Sequence, residues 1–239
     1  MGEAVLIASG KGGVGKTTIA ANLGATLALR GASVVLIDLN MSLRNLDLYL
    51  GLENEILFDV ADVLSGLCGI SKSLVRDPRF PGLYLLSGAQ CKEVAGLTPA
   101  HMAALIVQLK KRFDVVLADG PSGVPEHLRC AAVNMDRAIV VVTPDHSSLR
   151  NGDMVDKKLQ EIGVENRYYL VNKVMPELFG RNIVPDLEDM AGVFATPMAG
   201  VVSYDENVHI ANNRGYPIVS ARDSYIAGNF DRIAQKLFG

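Results

Sequence analysis

Between the run Ala4-Val5-Leu6-Ile7-Ala8 and an Ala/Leu-rich stretch from Ile19 to Arg30 lies Gly10-Lys11-Gly12-Gly13-Val14-Gly15-Lys16-Thr17-Thr18. This loop constrains the chain more than any other segment. Its outer frame fits G-x-x-x-x-G-K-[ST], the pattern of a phosphate-binding loop. The run before it is apolar and β-leaning, and the stretch after it favours helix. A strand, a glycine loop and a helix start aim backbone N–H groups and the positive helix end at an anion. Glycine lets backbone approach a phosphate without a Cβ in the way. The pattern assigns Lys16 to the β/γ-phosphates of a nucleotide and the Thr17 hydroxyl to Mg²⁺. A bare match can arise by chance, but one set between a strand and a helix is hard to explain as structure alone.

The rest of the chain repeats that alternation. Apolar runs at Ser33–Ile37, Leu83–Leu86, Asp114–Asp119, Ala138–Val142, Tyr168–Val171 and Met198–Val202 read as strands. Between them Pro99 to Arg112 reads as a helix, with Thr98 as its N-cap and Met102, Leu105, Ile106 and Leu109 on one face. Near-continuous apolar strands separated by helices predict an α/β fold: a doubly wound, mostly parallel twisted sheet covered by helices on both faces. At 239 residues the chain reads as one P-loop domain over 1–239. A chain of that size buries about 70–75% of its unfolded surface and needs no staples.

In such sheets ligands bind outside the strand C-termini. The polar residues ending the strands are Ser9-Gly10, Asp38, Ser87, Asp119, Thr143 and Asn172, and the rule places them on one edge. Asp119 precedes a Gly120-Pro121-Ser122-Gly123 turn. An acid there can hold the Mg²⁺ shell, and the turn can move with the γ-phosphate. Asp38 can bind a metal water or orient an attacking one. Asn172-Lys173-Val174-Met175 begins like the guanine-reading N-K-x-D, but Met175 stands where the carboxylate should be, which favours adenine.

Composition excludes more than it assigns. Hydrophobic residues make up 49% and charged residues 21%, a globular balance. The net charge of −3 argues against a surface devoted to nucleic acid. Cys68, Cys91 and Cys130 are scattered, and His101, His127, His146 and His209 have no metal-ligand spacing. With no signal peptide before the first strand and no 18-residue apolar run, the expected location is cytoplasmic, with a peripheral place at a membrane as the alternative.

These motifs together resemble the MinD/ParA family of deviant-Walker P-loop ATPases, most closely its MinD branch. Lys11-Gly12-Gly13-Val14-Gly15-Lys16-Thr17-Thr18 is similar to the family's deviant loop. The stretch from Asn40 to Leu48 resembles D-x-G-L-R-N-L-D, and Asp119-Gly120-Pro121-Ser122-Gly123 resembles D-x-P-A-G. Thr143-Pro144-Asp145 and Asn212 to Pro217 match later landmarks. The resemblance implies ATP and Mg²⁺ as cofactors and a face-to-face homodimer that traps two ATPs. In it Lys11 reaches the partner's nucleotide, and hydrolysis releases the pair. It implies Asn172 and the Tyr204-Asp205-Glu206-Asn207 loop as walls of the adenine pocket. It also implies a helix from Ser147 to Gln160 that contacts regulatory proteins of the MinC/MinE type.

Two departures stand out. The branch carries two acids, D-x-D, in its switch segment, where this chain reads Asp38-Leu39-Asn40. Asn40 can hydrogen-bond a water but carries no charge, so the expectation is slow hydrolysis and a long-lived dimer. The alternative is that Asp38 and backbone groups suffice. Second, branch members end in a basic amphipathic helix that binds membrane. Tyr225, Ile226, Phe230, Ile233, Leu237 and Phe238 form an apolar stripe, but the polar face offers only Asp231, Arg232 and Lys236. Such a face suits core packing better than a membrane surface, and membrane contact stays open. The leading reading is therefore an ATP-dependent dimerising switch for spatial positioning such as division-site selection. Behind it stand a weakly hydrolysing ATP-bound module of the flagellar or pilus placement type, and a DNA-partitioning protein of the ParA type.

Overall fold

A computed structural model of the chain describes all residues except 41–43, 90–97, 123–124, 182 and 222. The Met-Ser-Leu part of the switch stretch, Cys91 and Gly123 therefore lie outside the described residues.

Along the chain, β1 (Glu3–Ser9) leads through the glycine loop to α1 (Lys16–Leu29) and β2 (Val34–Asp38). Three short helices and a longer one follow around two strands: α2 (Leu46–Leu50), α3 (Val60–Leu64), α4 (Ile70–Ser73), β3 (Leu74–Arg76), β4 (Leu83–Leu86) and α5 (Pro99–Lys110). The second half adds β5 (Val115–Ser122), α6 (Pro125–Ala131), β6 (Arg137–Val142), α7 (His146–Ile162), β7 (Asn166–Val174) and α8 (Leu187–Val193). It closes with β8 (Met198–Ser203), α9 (Glu206–Asn213) and α10 (Tyr225–Phe238).

The strands form one sheet in the order β3-β4-β2-β5-β1-β6-β7-β8. Every pairing is parallel except β3 against β4. β1 is central, and successive side chains along it go to opposite faces, as the period of a strand requires. Val5 and Ile7 join the core under α1 and α10, whereas Ala4, Leu6 and Ala8 join the core under α5 and α7. Both faces are covered, so the strands can be apolar at every position.

α1 starts at Lys16, three residues earlier than the apolar periodicity suggests. Gly15 is its N-cap in the left-handed region, at φ 98°, a conformation glycine adopts without a Cβ penalty. Lys16 and Thr17 thus stand in the first turn, where backbone N–H groups have no partner within the helix. The helix is buried on nearly all sides between the sheet and α10, which is why its sequence is apolar all round. Thr98 caps α5 as expected, accepting the His101 N–H at 3.3 Å, with Pro99 at the first helical position.

β3 is absent from the sequence reading. It has three residues, half-exposed, ending in Arg76 at the sheet edge. A run that short gives no periodicity to read. In α10, Ile226, Phe230, Ile233 and Leu237 are buried against α1 and β8, while Tyr225 is exposed. The apolar stripe thus packs on the sheet. No helix among the described residues is long and apolar enough to cross a membrane.

Candidate active site

The C-terminal edge of the sheet gathers the residues that the strand ends promise. β5 lies between β2 and β1, so Asp119 is the register partner of both Asp38 and Ile7. The strand does not stop there: β5 runs on to Ser122, which pairs with Ser9, so Gly120 to Ser122, read from the sequence as a turn, are strand. The glycine loop rises from β1 over these two acids. Ser87 ends β4 one strand further out and does not line the cleft.

Beneath the loop Ser9, Lys16, Asp38 and Asp119 are buried, and Thr17 is half-buried. Lys16 is 8% exposed, and its ammonium donates to Ser9 Oγ at 3.1 Å. Burial lowers its pKa, and the charges of Asp119 and Asp38 oppose that shift. Thr17 Oγ1 donates to Asp119 Oδ2 at 2.6 Å. The other Asp119 oxygen, Oδ1, is buried with no hydrogen-bond partner among the described residues. Burial, with a contribution from the Asp38 charge, pushes the Asp119 carboxyl up to about 7 against the Thr17 bond and Lys16. A buried acid with one orphaned oxygen beside a first-turn threonine hydroxyl is a hard-oxygen donor set that suits Mg²⁺. Such an ion would neutralise phosphate charge there.

Asp38 plays a part that the sequence did not suggest. Its Oδ1 accepts the Asn40 N–H at 2.9 Å, and its Oδ2 accepts those of Asn45 and Leu46 at 3.0 and 3.1 Å. The carboxylate ties Asn40 to the start of α2 and caps that helix. Burial raises its pKa against those three backbone bonds. Asn40 is held there by its own backbone and lines the cleft.

The glycines of the loop serve different needs. A Cβ on Gly10 would sit 2.2 Å from the Asn151 carbonyl oxygen of α7, and one on Gly15 2.3 Å from Asn172 Nδ2. Around Gly12 and Gly13 nothing lies within 4 Å of an added Cβ. The first two positions are packed, and the second two face open space of the kind a phosphate needs. Val14 is buried, and its carbonyl accepts Asn172 Nδ2 at 2.8 Å. Lys173, in the left-handed region at φ 58°, donates to the Gly13 carbonyl at 2.8 Å. The Asn-Lys pair at the end of β7 thus pins the loop from behind.

A cleft of about 600 Å³ opens over this floor. Gly12, Gly13, Gly15, Lys16, Thr17, Thr18, Asn40, Asn172 and Asp205 all border it. Asp205 also caps α9 through the Asn207 N–H at 2.7 Å. Tyr49, His209 and Phe230 line it as well, and the sequence reading missed all three. Their only signal is indirect. Tyr49 and His209 follow or lie close to landmark stretches, and Phe230 belongs to a stripe that also serves the core.

Lys11 lies apart from that floor. It borders a second, smaller cleft across the loop, and its ammonium donates to Asp145 Oδ1 at 3.1 Å and Ser147 Oγ at 3.0 Å. Its side chain is 44% exposed. Burial would raise the Asp145 pKa, but the bonds from Ser147, Thr143, the Ser148 N–H and Lys11 outweigh it and hold the carboxyl well below the usual carboxylate range.

Residues 5–218 match the model of the CobQ/CobB/MinD/ParA nucleotide binding domain. The chain is 40% identical over 240 residues to a septum site-determining protein MinD from Synechocystis sp., with all of this chain and 90% of the relative's length aligned. The chain belongs to the MinD/ParA family. Two solved MinD structures share the architecture. One is a MinC:MinD cell division protein complex from Aquifex aeolicus, 34% identical with a TM-score of 0.92, covering 99% of this chain and 96% of that one. The other is MinD complexed with Mg-ADP from Pyrococcus horikoshii, 28% identical with a TM-score of 0.89, covering 100% and 96%.

As a MinD/ParA protein of the MinD type, the chain is a P-loop ATPase whose cofactors are ATP and Mg²⁺. The chemistry is ATP plus water giving ADP plus phosphate. It demands positioning and charge stabilisation rather than a covalent intermediate. The buried floor supplies a fixed cation, a hydroxyl and two carboxyl groups; the loop supplies backbone donors.

Proposed function

We propose that this chain is an ATP-driven switch whose active form is a homodimer, and that it serves placement of the division site. In this reading Gly10 to Thr18 hold the phosphates, Thr17 and Asp119 hold Mg²⁺, and Asn172 with Asp205 border the base. Two copies meet over their loops, with Lys11 completing the partner's site. Hydrolysis, slowed because Asn40 replaces an acid, releases them. A regulator of the MinC kind reads the dimer; a related MinD from Aquifex aeolicus forms a MinC:MinD complex.

The observation that carries this reading is the contrast between the loop's two lysines. Lys16 is buried among groups of its own chain. Lys11 stands at the rim in a half-exposed ion pair, the kind whose net worth is at most about 1 kcal/mol. Such a pair opens at little cost, which leaves Lys11 free for a phosphate presented from outside. The test is oligomeric state by light scattering together with turnover. The native chain should dimerise with Mg-ATP and return to monomer with ADP. Lys11→Ala should bind nucleotide normally, stay monomeric and lose turnover. Undiminished ATP-dependent dimerisation in Lys11→Ala would overturn the proposal.

A further inference from the structure

Beyond the loop, the walls of the nucleotide cleft are two short helices from distant parts of the chain. α2 has five residues and contributes Tyr49, with Asn45 as its N-cap. α9 has eight and contributes Val208, His209 and Asn212. Neither is long enough to be stable alone, so something outside the cleft must fix their spacing. One end of each is accounted for. Asp38 caps the start of α2, and Asp205 caps the start of α9 by accepting the Asn207 N–H at 2.7 Å.

The other ends meet each other. α2 finishes at Gly51 and α9 runs through Arg214 into Gly215, and both glycines are left-handed, at φ 60° and 68°. A Cβ on Gly51 would lie 2.7 Å from the Gly215 carbonyl oxygen, and one on Gly215 2.7 Å from Gly51 Cα. Two helix ends in backbone contact leave carbonyl oxygens in need of donors. Arg79, from the loop between β3 and β4, supplies them: Nη1 donates to Gly215 O at 2.9 Å, and Nη2 to Leu50 O. The guanidinium is itself held by Asp77, which is fully buried and accepts Nη2 at 2.6 Å and Nε at 3.0 Å. The Arg79 N–H also donates to Asp77, at 2.8 Å.

We infer that Arg79 is a positioning residue: a planar fork, anchored on Asp77, that sets the distance between the two walls of the nucleotide cleft. It does not line the cleft. One carbonyl it joins belongs to the last residue of α2 and the other to Gly215, directly after the C-cap Arg214 of α9, and only a guanidinium presents several donors in one rigid plane. The inference rests on the cleft being the nucleotide site, and the experiment separates the two claims. Binding of a fluorescent ADP with Mg²⁺, the Michaelis constant and kcat for ATP, and the unfolding midpoint without nucleotide are measured on the full chain.

Arg79→Met should weaken ADP binding about tenfold and raise the Michaelis constant alike, the size expected for losing bonds from a charged donor. kcat at saturating ATP should change less than twofold, because the phosphate floor is untouched. Arg79→Lys, which can reach one carbonyl but not bridge both, should recover only part of the affinity. Where Arg79→Met fails to fold, Asp77→Asn keeps the fork but loosens its anchor, and should raise the ADP dissociation constant by a smaller factor. A lower unfolding midpoint with unchanged ADP affinity would reduce Arg79 to a structural tie and overturn the inference, as would full recovery in Arg79→Lys. A native chain that fails to bind ADP would overturn the nucleotide reading itself.

Discussion

The two lysines of one nine-residue loop live in different solvents. Lys16 sits beneath it, nearly excluded from water, with Ser9 as its partner and two acids nearby. Lys11 sits on its outer side, half-exposed, paired with Asp145 and Ser147 from α7. The buried site is costly to disturb because each group there depends on another for compensation of its charge. The exposed pair is cheap to break. One half of the loop is built to hold and the other to let go, which is what a switch completed by a second copy requires.

Changes on the buried side should cost the most. Lys16→Ala should reduce ATP and ADP affinity about 100-fold or more, given what a charge-assisted bond to phosphate is worth in a desolvated site. Isothermal titration with Mg-ADP measures it, and a loss under tenfold would show that the backbone cradle alone suffices. Asp119→Asn should cost about 10- to 100-fold in the Mg²⁺-dependent part of binding, the usual range for groups that organise a metal's surroundings.

The same acid gives a pH signature. In the native chain the Asp119 carboxyl keeps its proton up to about pH 7, against 3.8 for an ordinary aspartate. Between those values the native state binds a proton that the unfolded state has lost. Stability of the metal-free chain therefore falls as pH rises from about 4 to about 7. Urea midpoints at pH 5 and pH 7.5 should show this decline. Asp119→Asn should remove the part that ends near pH 7, while Asp38, also raised by burial, keeps the rest. A parallel slope in both proteins would mean that Asp119 is ionised throughout.

Next in size is the switch segment. If Asn40 limits turnover, Asn40→Asp should raise kcat on the order of tenfold, below the roughly 10²- to 10⁴-fold of a full general base because Asp38 and backbone groups already position part of the site. Equal rates at saturating ATP would mean that Asp38 and the backbone already position the water.

How far the sequence could be read follows from the range of the interactions. Thr17 beside Asp119 was legible because each ends or follows a strong apolar run, and two parallel strands bring their C-termini to one edge. Lys11 on Asp145 was not, because 134 residues separate them and nothing in either stretch names the other. The capping of α2 by Asp38 was hidden for a related reason. It joins Asp38 to Asn45 and Leu46, seven and eight residues on, across a segment with no hydrophobic period, so from sequence the carboxylate reads as a water-binding group and not as a helix cap. β3 and the Asp77–Arg79 clip fall in short irregular stretches where hydrophobic period carries no information. Tyr49 and His209 line the cleft only because two short helices converge there.

The exposed half of the loop should give the smallest effect. Asp145 pairs with Lys11, accepts the Thr143 and Ser147 hydroxyls, and caps α7 by accepting the Ser148 N–H at 2.9 Å. Asp145→Asn separates the ion pair from the cap, because asparagine caps a helix about as well as aspartate but offers no charge. Stability should then fall by less than about 1 kcal/mol, the worth of an exposed ion pair, and nucleotide affinity should not move. Lys11, no longer held in its own chain, should reach a partner more readily, so ATP-dependent dimerisation should need equal or lower protein concentration. A loss of about 2 kcal/mol or more on chemical denaturation would place Lys11 and Asp145 among the buried, committed groups. The loop would then have no half that lets go.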